Sequence, residues 1–209
     1  MKISIVLPAK NESGAIGQTI ERIKQLNIAH EIIVVNDGST DSTPAVAEHA
    51  GARVVTHPYS KGNGAAIKTG ARTATGDVIV FMDADGQHDP QDIPRLLEQI
   101  EQGYDLVVGA RQKGSQASVG RGVANALYNN LATYMTEQKV EDLTSGFRAV
   151  RADKFREFLY LLPNGFSYPT TSTMAFFRAG YSVTYVSIHA AKRIGTSHIQ
   201  PMKDGVRFF

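Results

Sequence analysis

The sequence predicts an α/β fold, a single domain with a mainly parallel central sheet flanked by helices. Three observations predict it. Short β-branched apolar runs alternate with helical patterns through the first half of the chain. Those runs are apolar throughout rather than alternating, as strands buried on both faces are. The 209 residues, 42% apolar and 20% charged, suit one sizeable core. No internal repeat, low-complexity tract or linker divides residues 1–209, which therefore read as one domain.

Each element has its own warrant. Ile3–Pro8 is a β-branched run that proline ends, and Ile16, Ile20, Ile23 and Leu26 recur at helical spacing within a helix near Ser13–Leu26. Glu31–Val35 is the second strand, and Thr43-Pro44 starts a helix with proline at its first turn. Arg53–Thr56 is a third strand, followed by a small-residue helix over Gly64–Ala74. Val78–Met82 has the pattern of a buried strand, Asp89 caps a helix opened by Pro90 and running to about Gln102, and Leu106–Gly109 is the fifth strand. In the second half, Val119, Val123, Leu127 and Leu131 mark an amphipathic helix. Phe147–Val150 reads as a strand, Asp153–Leu161 and Thr170–Ala179 as helices, and Val183–Ile188 as a last strand.

Composition excludes several functions. The chain has no cysteine, which removes disulfide frameworks, thiolate metal sites and cysteine nucleophiles together. A net charge of +2 gives no support to a nucleic-acid partner. No run approaches the roughly 18 apolar residues of a membrane span, and Met1–Pro8 lacks the apolar stretch of a signal peptide, so the chain as given is expected to be soluble. Charge is nevertheless uneven. Residues 74–106 hold eight acids against Arg95 alone, and residues 190–209 hold four bases against Asp204 alone. These are either two solvated faces, or a cation site in the middle and an anion site near the end.

In parallel sheets of this kind ligands bind beyond the carboxyl ends of the strands. Four polar segments fall there. Pro8-Ala9-Lys10-Asn11-Glu12 and Asn36-Asp37-Gly38-Ser39-Thr40-Asp41 have turn chemistry, although a carboxylate in the second could accept from a ribose hydroxyl or a base N–H. Lys61-Gly62-Asn63-Gly64 resembles a phosphate loop without P-loop spacing, and it is either a tight turn or the anion-favouring start of a helix. Asp83-Ala84-Asp85-Gly86-Gln87-His88 offers two carboxylates and an amide oxygen, the hard oxygen donors that Mg²⁺ or Mn²⁺ takes alongside water and phosphate.

In this order and spacing the four segments resemble the family 2 glycosyltransferases. Asp142-Leu143-Thr144-Ser145-Gly146-Phe147-Arg148 and Arg193-Ile194-Gly195-Thr196-Ser197-His198 extend the resemblance to the branch containing dolichyl-phosphate mannose synthase and its bacterial relatives. His198 departs from that branch, which often carries lysine there. The resemblance covers roughly residues 1–200 and implies a GT-A fold, a nucleoside-diphosphate sugar donor, a Mg²⁺ or Mn²⁺ cofactor and a polyprenyl phosphate acceptor. It also implies work at the cytoplasmic face of a membrane, through peripheral contact or a tail anchor beyond Gly205-Val206-Arg207-Phe208-Phe209. By motif match, Pro8, Ala9, Glu12 and Asp37 line the nucleoside pocket with Lys61 nearby, and Asp83, Asp85 and Gln87 hold metal and diphosphate. Arg111, Arg121, Ser145, Arg148 and Arg193 are the candidates for the acceptor phosphate.

A phosphate acceptor is mostly dianionic at pH 7 and needs positioning, whereas a sugar hydroxyl needs a base. The arginines after the acidic loop favour the former. The alternative is transfer to a saccharide hydroxyl with Asp142 or Glu141 as base. A nucleotidyltransferase would be expected to carry a more basic loop near residue 10, and a non-catalytic nucleotide-binding module has little need of Asp83, Asp85 and Gln87. GDP-mannose and UDP-glucose are both compatible donors.

Overall fold

A computed structural model describes residues 1–112, 129–130, 132–134 and 138–189. The amphipathic helix expected over Val119–Leu131 lies outside these residues, Asn129 and Asn130 excepted, as do Arg121, Arg193, His198 and the final aromatics. Among the described residues, seven strands form one sheet in the order β3-β2-β1-β4-β6-β5-β7. They are β1 (Ile3–Ala9), β2 (Glu31–Asn36), β3 (Arg53–Thr56), β4 (Val78–Phe81), β5 (Leu106–Arg111), β6 (Arg148–Arg151) and β7 (Val183–Ile188). Six run in one direction, and β6 is antiparallel to both its neighbours. The sheet is mainly parallel, as expected.

The helices are α1 (Ile16–Gln25), α2 (Thr43–His49), α3 (Asn63–Thr73), α4 (Ile93–Glu101), α5 (Ala152–Arg156) and α6 (Tyr168–Arg178). Successive β1 residues explain the unbroken apolar runs. Ile5 and Leu7 pack with Ile16, Ile20 and Ile23 of α1 and Leu96 and Ile100 of α4. Val6 between them packs on the other face with Ala66, Ile67 and Ala71 of α3 and Phe155 of α5. Asp89 caps the Pro90–Asp92 turn through Gln91 N–H at 2.9 Å.

One expectation changes, and one open alternative is decided. The helix expected over Asp153–Leu161 is shorter and starts one residue earlier, at Ala152–Arg156. After it, Phe158 N–H bonds Phe155 O and Leu161 N–H bonds Phe158 O, so i→i+3 turns carry the chain towards Pro163. The start of α3 is also not an open anion site. Gly64 N–H donates to Gly165 O and Ala65 N–H to Asn164 O, both at 3.2 Å. The tight-turn reading prevails, because a distant loop satisfies the free N–H groups.

That loop sits so close that a Cβ on Gly64 would collide with Pro163 O and stand 2.8 Å from Gly165 O. Gly→Ala within a helix ordinarily stabilises by roughly 0.5–1 kcal/mol. Gly64→Ala is expected to reverse the sign, costing about 1–3 kcal/mol through overpacking. Thermal unfolding should show a melting temperature several degrees lower; a rise would mean that the loop yields freely.

Candidate active site

The topology gathers the chemistry at one edge. The carboxyl ends of the six co-directional strands meet there, joined by the amino end of β6, where Arg148 pairs with Phe81 of β4 and Val108 of β5. The residues following β1, β2, β3 and β4 and the stretch preceding β6 therefore share one rim, although they lie far apart in sequence.

On the β1–β3 side, Pro8 and Ala9 stand in register with Val35 and Asn36. Glu12 is buried, and its N–H donates to Thr43 Oγ1 at 2.8 Å. Asp37 is also buried. Its Oδ1 accepts from His57 Nδ1 at 2.7 Å and Lys61 N–H at 2.8 Å, and its Oδ2 from Ser60 Oγ at 2.8 Å and Gly62 N–H at 2.9 Å. Burial would raise the Asp37 pKa, but these hydrogen bonds outweigh it and hold the group below the ordinary carboxylate value. Four donors match the roughly four lone-pair sites of a carboxylate. Asp37 thus shapes the 57–62 loop, where the sequence suggested a direct contact to ribose or base. Lys61 is exposed, with Nζ 5.6 Å from the Tyr59 ring centre, and Lys10 Nζ reaches Ser60 Oγ at 3.0 Å.

The acidic loop leaves β4 directly into the rim. Asp85 is buried, and its Oδ1 accepts from Gln87 N–H at 3.0 Å, while the Asp83 side chain is 35% exposed. Gly146 faces Asp83 so closely that a Cβ there would lie 3.2 Å from its Oδ2, so glycine keeps the carboxylate clear. His88 stacks on Phe147 with ring centres 5.1 Å apart and has Nδ1 3.9 Å from Asp83 Oδ2. Burial lowers its pKa to about 4 against the opposing charge of Asp85, so the ring is neutral at pH 7. Two buried polar atoms here, His88 Nδ1 and Ser145 Oγ, have no hydrogen-bond partner among the described residues.

Two carboxylates and an amide oxygen in this loop are the kind of oxygen donors that a hard divalent cation takes. Among the described residues no group of three or more His, Asp or Glu is arranged to hold a metal. A cation held at Asp83, Asp85 and Gln87 would have to draw its remaining oxygens from water or substrate. A cavity of about 440 Å³ adjoins the loop, lined by Gly86–His88, Gln112 after β5, the end of β7, and the Arg22–Asp89 and Arg95–Asp92 ion pairs.

The arginines separate into two kinds. Arg111 forms a bidentate pair with Asp142, Nε to Oδ2 at 2.8 Å and Nη2 to Oδ1 at 2.9 Å, and keeps its side chain 27% exposed. Thr144 adds its N–H to Asp142 Oδ1 at 3.0 Å. Burial opposes both charges, but the pairing outweighs it, raising the Arg111 pKa and lowering that of Asp142. Arg148 is wholly buried. Its guanidinium donates to Ser145 O, to Pro169 O at 3.2 Å and to Ser172 Oγ at 2.8 Å. This placement corrects the expectation that Arg148 meets an acceptor phosphate, because its charge faces protein oxygens beneath the rim.

Sequence reasoning missed His57, Ser60 and Thr144. Only the position of His57 at the end of β3, on the ligand-binding edge, could have drawn attention to it.

Comparison with known proteins agrees with this fold. The family model described as "Glycosyl transferase family 2" matches residues 4–159. An undecaprenyl-phosphate 4-deoxy-4-formamido-L-arabinose transferase from Proteus mirabilis is 36% identical over 162 residues, covering 72% of this chain and 49% of its own length. A dolichyl-phosphate hexose transferase from Haloferax volcanii is 29% identical over 205 residues, covering 97% of this chain and 89% of its own. The chain spans about half the length of the arabinose transferases it matches. Among solved structures, glucosyl-3-phosphoglycerate synthase from Mycobacterium tuberculosis, in complex with Mg²⁺ and UDP, superimposes with a TM-score of 0.77 at 28% identity, covering 97% of this chain and 73% of that one. The same enzyme with Mn²⁺, UDP and phosphoglyceric acid gives a TM-score of 0.75 at 27% identity, covering 98% of this chain and 73% of that one.

Proposed function

The chain belongs to glycosyl transferase family 2, and from that premise we propose that it moves a hexose from a nucleoside-diphosphate sugar to a polyprenyl phosphate, with inversion at the anomeric carbon. The observation that carries the acceptor class is the commitment of Asp142 to Arg111. Both Asp142 oxygens are taken by Arg111 and Thr144, and the group is held below the ordinary carboxylate value. Such a carboxylate is a poor general base. Glu141 is 38% exposed and paired with Lys139 at 2.8 Å. An acceptor that is already anionic needs neither group as a base. The matched relatives that act on lipid phosphates support the same class.

In this reading the loops after β1, β2 and β3 hold the nucleoside, with Pro8, Ala9, Glu12 and Lys61 against it and Asp37 behind them fixing the 57–62 loop. Asp83, Asp85 and Gln87 meet the diphosphate together with Mg²⁺ or Mn²⁺, as the metal and UDP complexes of the M. tuberculosis enzyme suggest. A cation held by Asp83, Asp85 and Gln87 would supply Lewis-acid stabilisation of the negative charge that grows on the leaving diphosphate. The remaining work falls to the chain. Asp85 fixes the loop through Gln87 N–H, Gly146 keeps Asp83 accessible, and Arg111, oriented by Asp142, offers a fixed guanidinium to the acceptor phosphate beside Ser145. Arg121 and Arg193 complete the acceptor contacts by motif match. Catalysis then takes place at the cytoplasmic face of a membrane, where such lipids are reached by peripheral contact or a tail anchor. No helix among the described residues is long and apolar enough to cross a membrane.

The test is a product assay with labelled GDP-mannose or UDP-glucose, Mn²⁺ and a short polyprenyl phosphate. A lipid-linked sugar is expected. Arg193→Ala should lower kcat/KM roughly ten- to hundredfold, the loss of one charge-assisted contact. Asp142→Asn should stay within about tenfold, since it disturbs the placement of Arg111 but removes no base. An indifferent Arg193 with an inactive Asp142→Asn would instead establish a hydroxyl acceptor.

A further inference from the structure

The geometry points to His57 as a positioning residue: its ring, fixed between Asp37 and Thr69, holds the carboxylate that shapes the 57–62 loop and thereby sets the grip on the donor nucleoside. The inference rests on the proposed reading that this loop belongs to the nucleoside pocket.

His57 is the first residue after β3, anchored by its N–H to Asn36 O at 2.9 Å. Its side chain and that of Asp37 are each only 6% exposed. Nδ1 lies 2.7 Å from Asp37 Oδ1, and Nε2 lies 2.9 Å from Thr69 Oγ1 on α3. An ionised carboxylate only accepts, so Nδ1 carries the hydrogen of the first bond, while the Thr69 hydroxyl can serve the second in either sense. With both nitrogens engaged by different elements, the ring has one orientation. It fixes Oδ1, and the two Asp37 oxygens in turn fix Ser60 Oγ and the N–H groups of Lys61 and Gly62. Ser60 passes the constraint to Lys10 on the β1 loop. Without His57, Asp37 would retain three donors beside a buried gap and could rotate, and the loop would follow. None of these residues belongs to the acidic loop, so His57 is expected to act on donor affinity.

The substitutions separate positioning from mere packing. Asparagine places an amide N–H close to the position of Nδ1 and keeps the Asp37 bond. Glutamine extends towards Thr69 and misplaces that donor. Calorimetry with UDP and GDP in the presence of Mn²⁺ should show His57→Ala weakening the nucleotide that the wild type binds by about tenfold or more. His57→Asn should recover most of this and His57→Gln little, with the acceptor KM unchanged. Amide exchange should show Lys61 and Gly62 opening at least about tenfold faster in His57→Ala. The β4 amides should remain as protected as in the wild type. Asparagine and glutamine variants with equal affinity, or Lys61 and Gly62 amides unmoved by alanine, would overturn the assignment. A wild-type chain that binds neither nucleotide would overturn the donor half of the inference together with the reading beneath it, and the exchange measurement would still decide whether His57 holds the loop.

Discussion

Replacing Asp85 with alanine is expected to lower kcat by at least about a thousandfold, some 4 kcal/mol of transition-state stabilisation, while the chain stays folded. Charge accumulates on the diphosphate as the glycosidic bond breaks, and two carboxylates beside it without a cation would repel it. Asp85 is the buried member of that pair, and its removal deprives the proposed cation of a ligand. The fold should survive the change, because Asp85 sits in a polar loop outside both apolar cores, where its Oδ1 accepts from Gln87 N–H. Asp85→Asn keeps an oxygen for that bond and removes only the charge. It should therefore melt close to the wild type and be nearly as inactive as the alanine variant. Turnover with labelled donor and circular-dichroism melts check both. Full activity of a folded Asp85→Ala variant with EDTA present would end the metal assignment.

Arg148→Met is expected to act on the fold, costing about 3 kcal/mol and lowering the melting temperature by roughly 6–12 °C. The Arg148 side chain is fully buried in β6, and its guanidinium ties Ser145 O to Pro169 O and Ser172 Oγ at the start of α6. Methionine fills much of the space but takes this donor from Ser145 O in a dry site, and leaves Pro169 O only Ser172 Oγ and Thr173 Oγ1. Asp83 and Asp142 also lose a nearby positive charge. Arg148→Lys keeps the charge without the planar fork, so it should recover part of the stability. Thermal unfolding of the two variants decides the matter, and a methionine variant melting within a degree of the wild type would show that the buried charge is dispensable.

How much of this was legible in the sequence differs from element to element. Helical spacing placed α1 because Ile16, Ile20 and Ile23 really do face one core, and unbroken apolar runs placed β1, β2 and β4 because both faces of the sheet are covered. The acidic loop after β4 stood out as a candidate only through its place at a strand end in series with the other polar loops, since two carboxylates two residues apart are common by themselves. The fates of Asp37, Asp142 and Arg148 were not visible. Their residue types advertise charge, but periodicity and local propensity report only burial and turn geometry.

By itself, then, the sequence determined the alternation of strands and helices, the edge on which polar loops collect and the family to which those loops belong. Only the tertiary structure decided which polar groups remain for ligands. It turned β6 antiparallel and carried Arg148 beneath the rim. It closed the start of α3 with Asn164 and Gly165, and it saturated Asp37 with His57, Ser60, Lys61 and Gly62. The physical reason is that a hydrogen bond between distant segments depends on where the whole sheet brings them. A buried polar group must take whichever partner packing supplies.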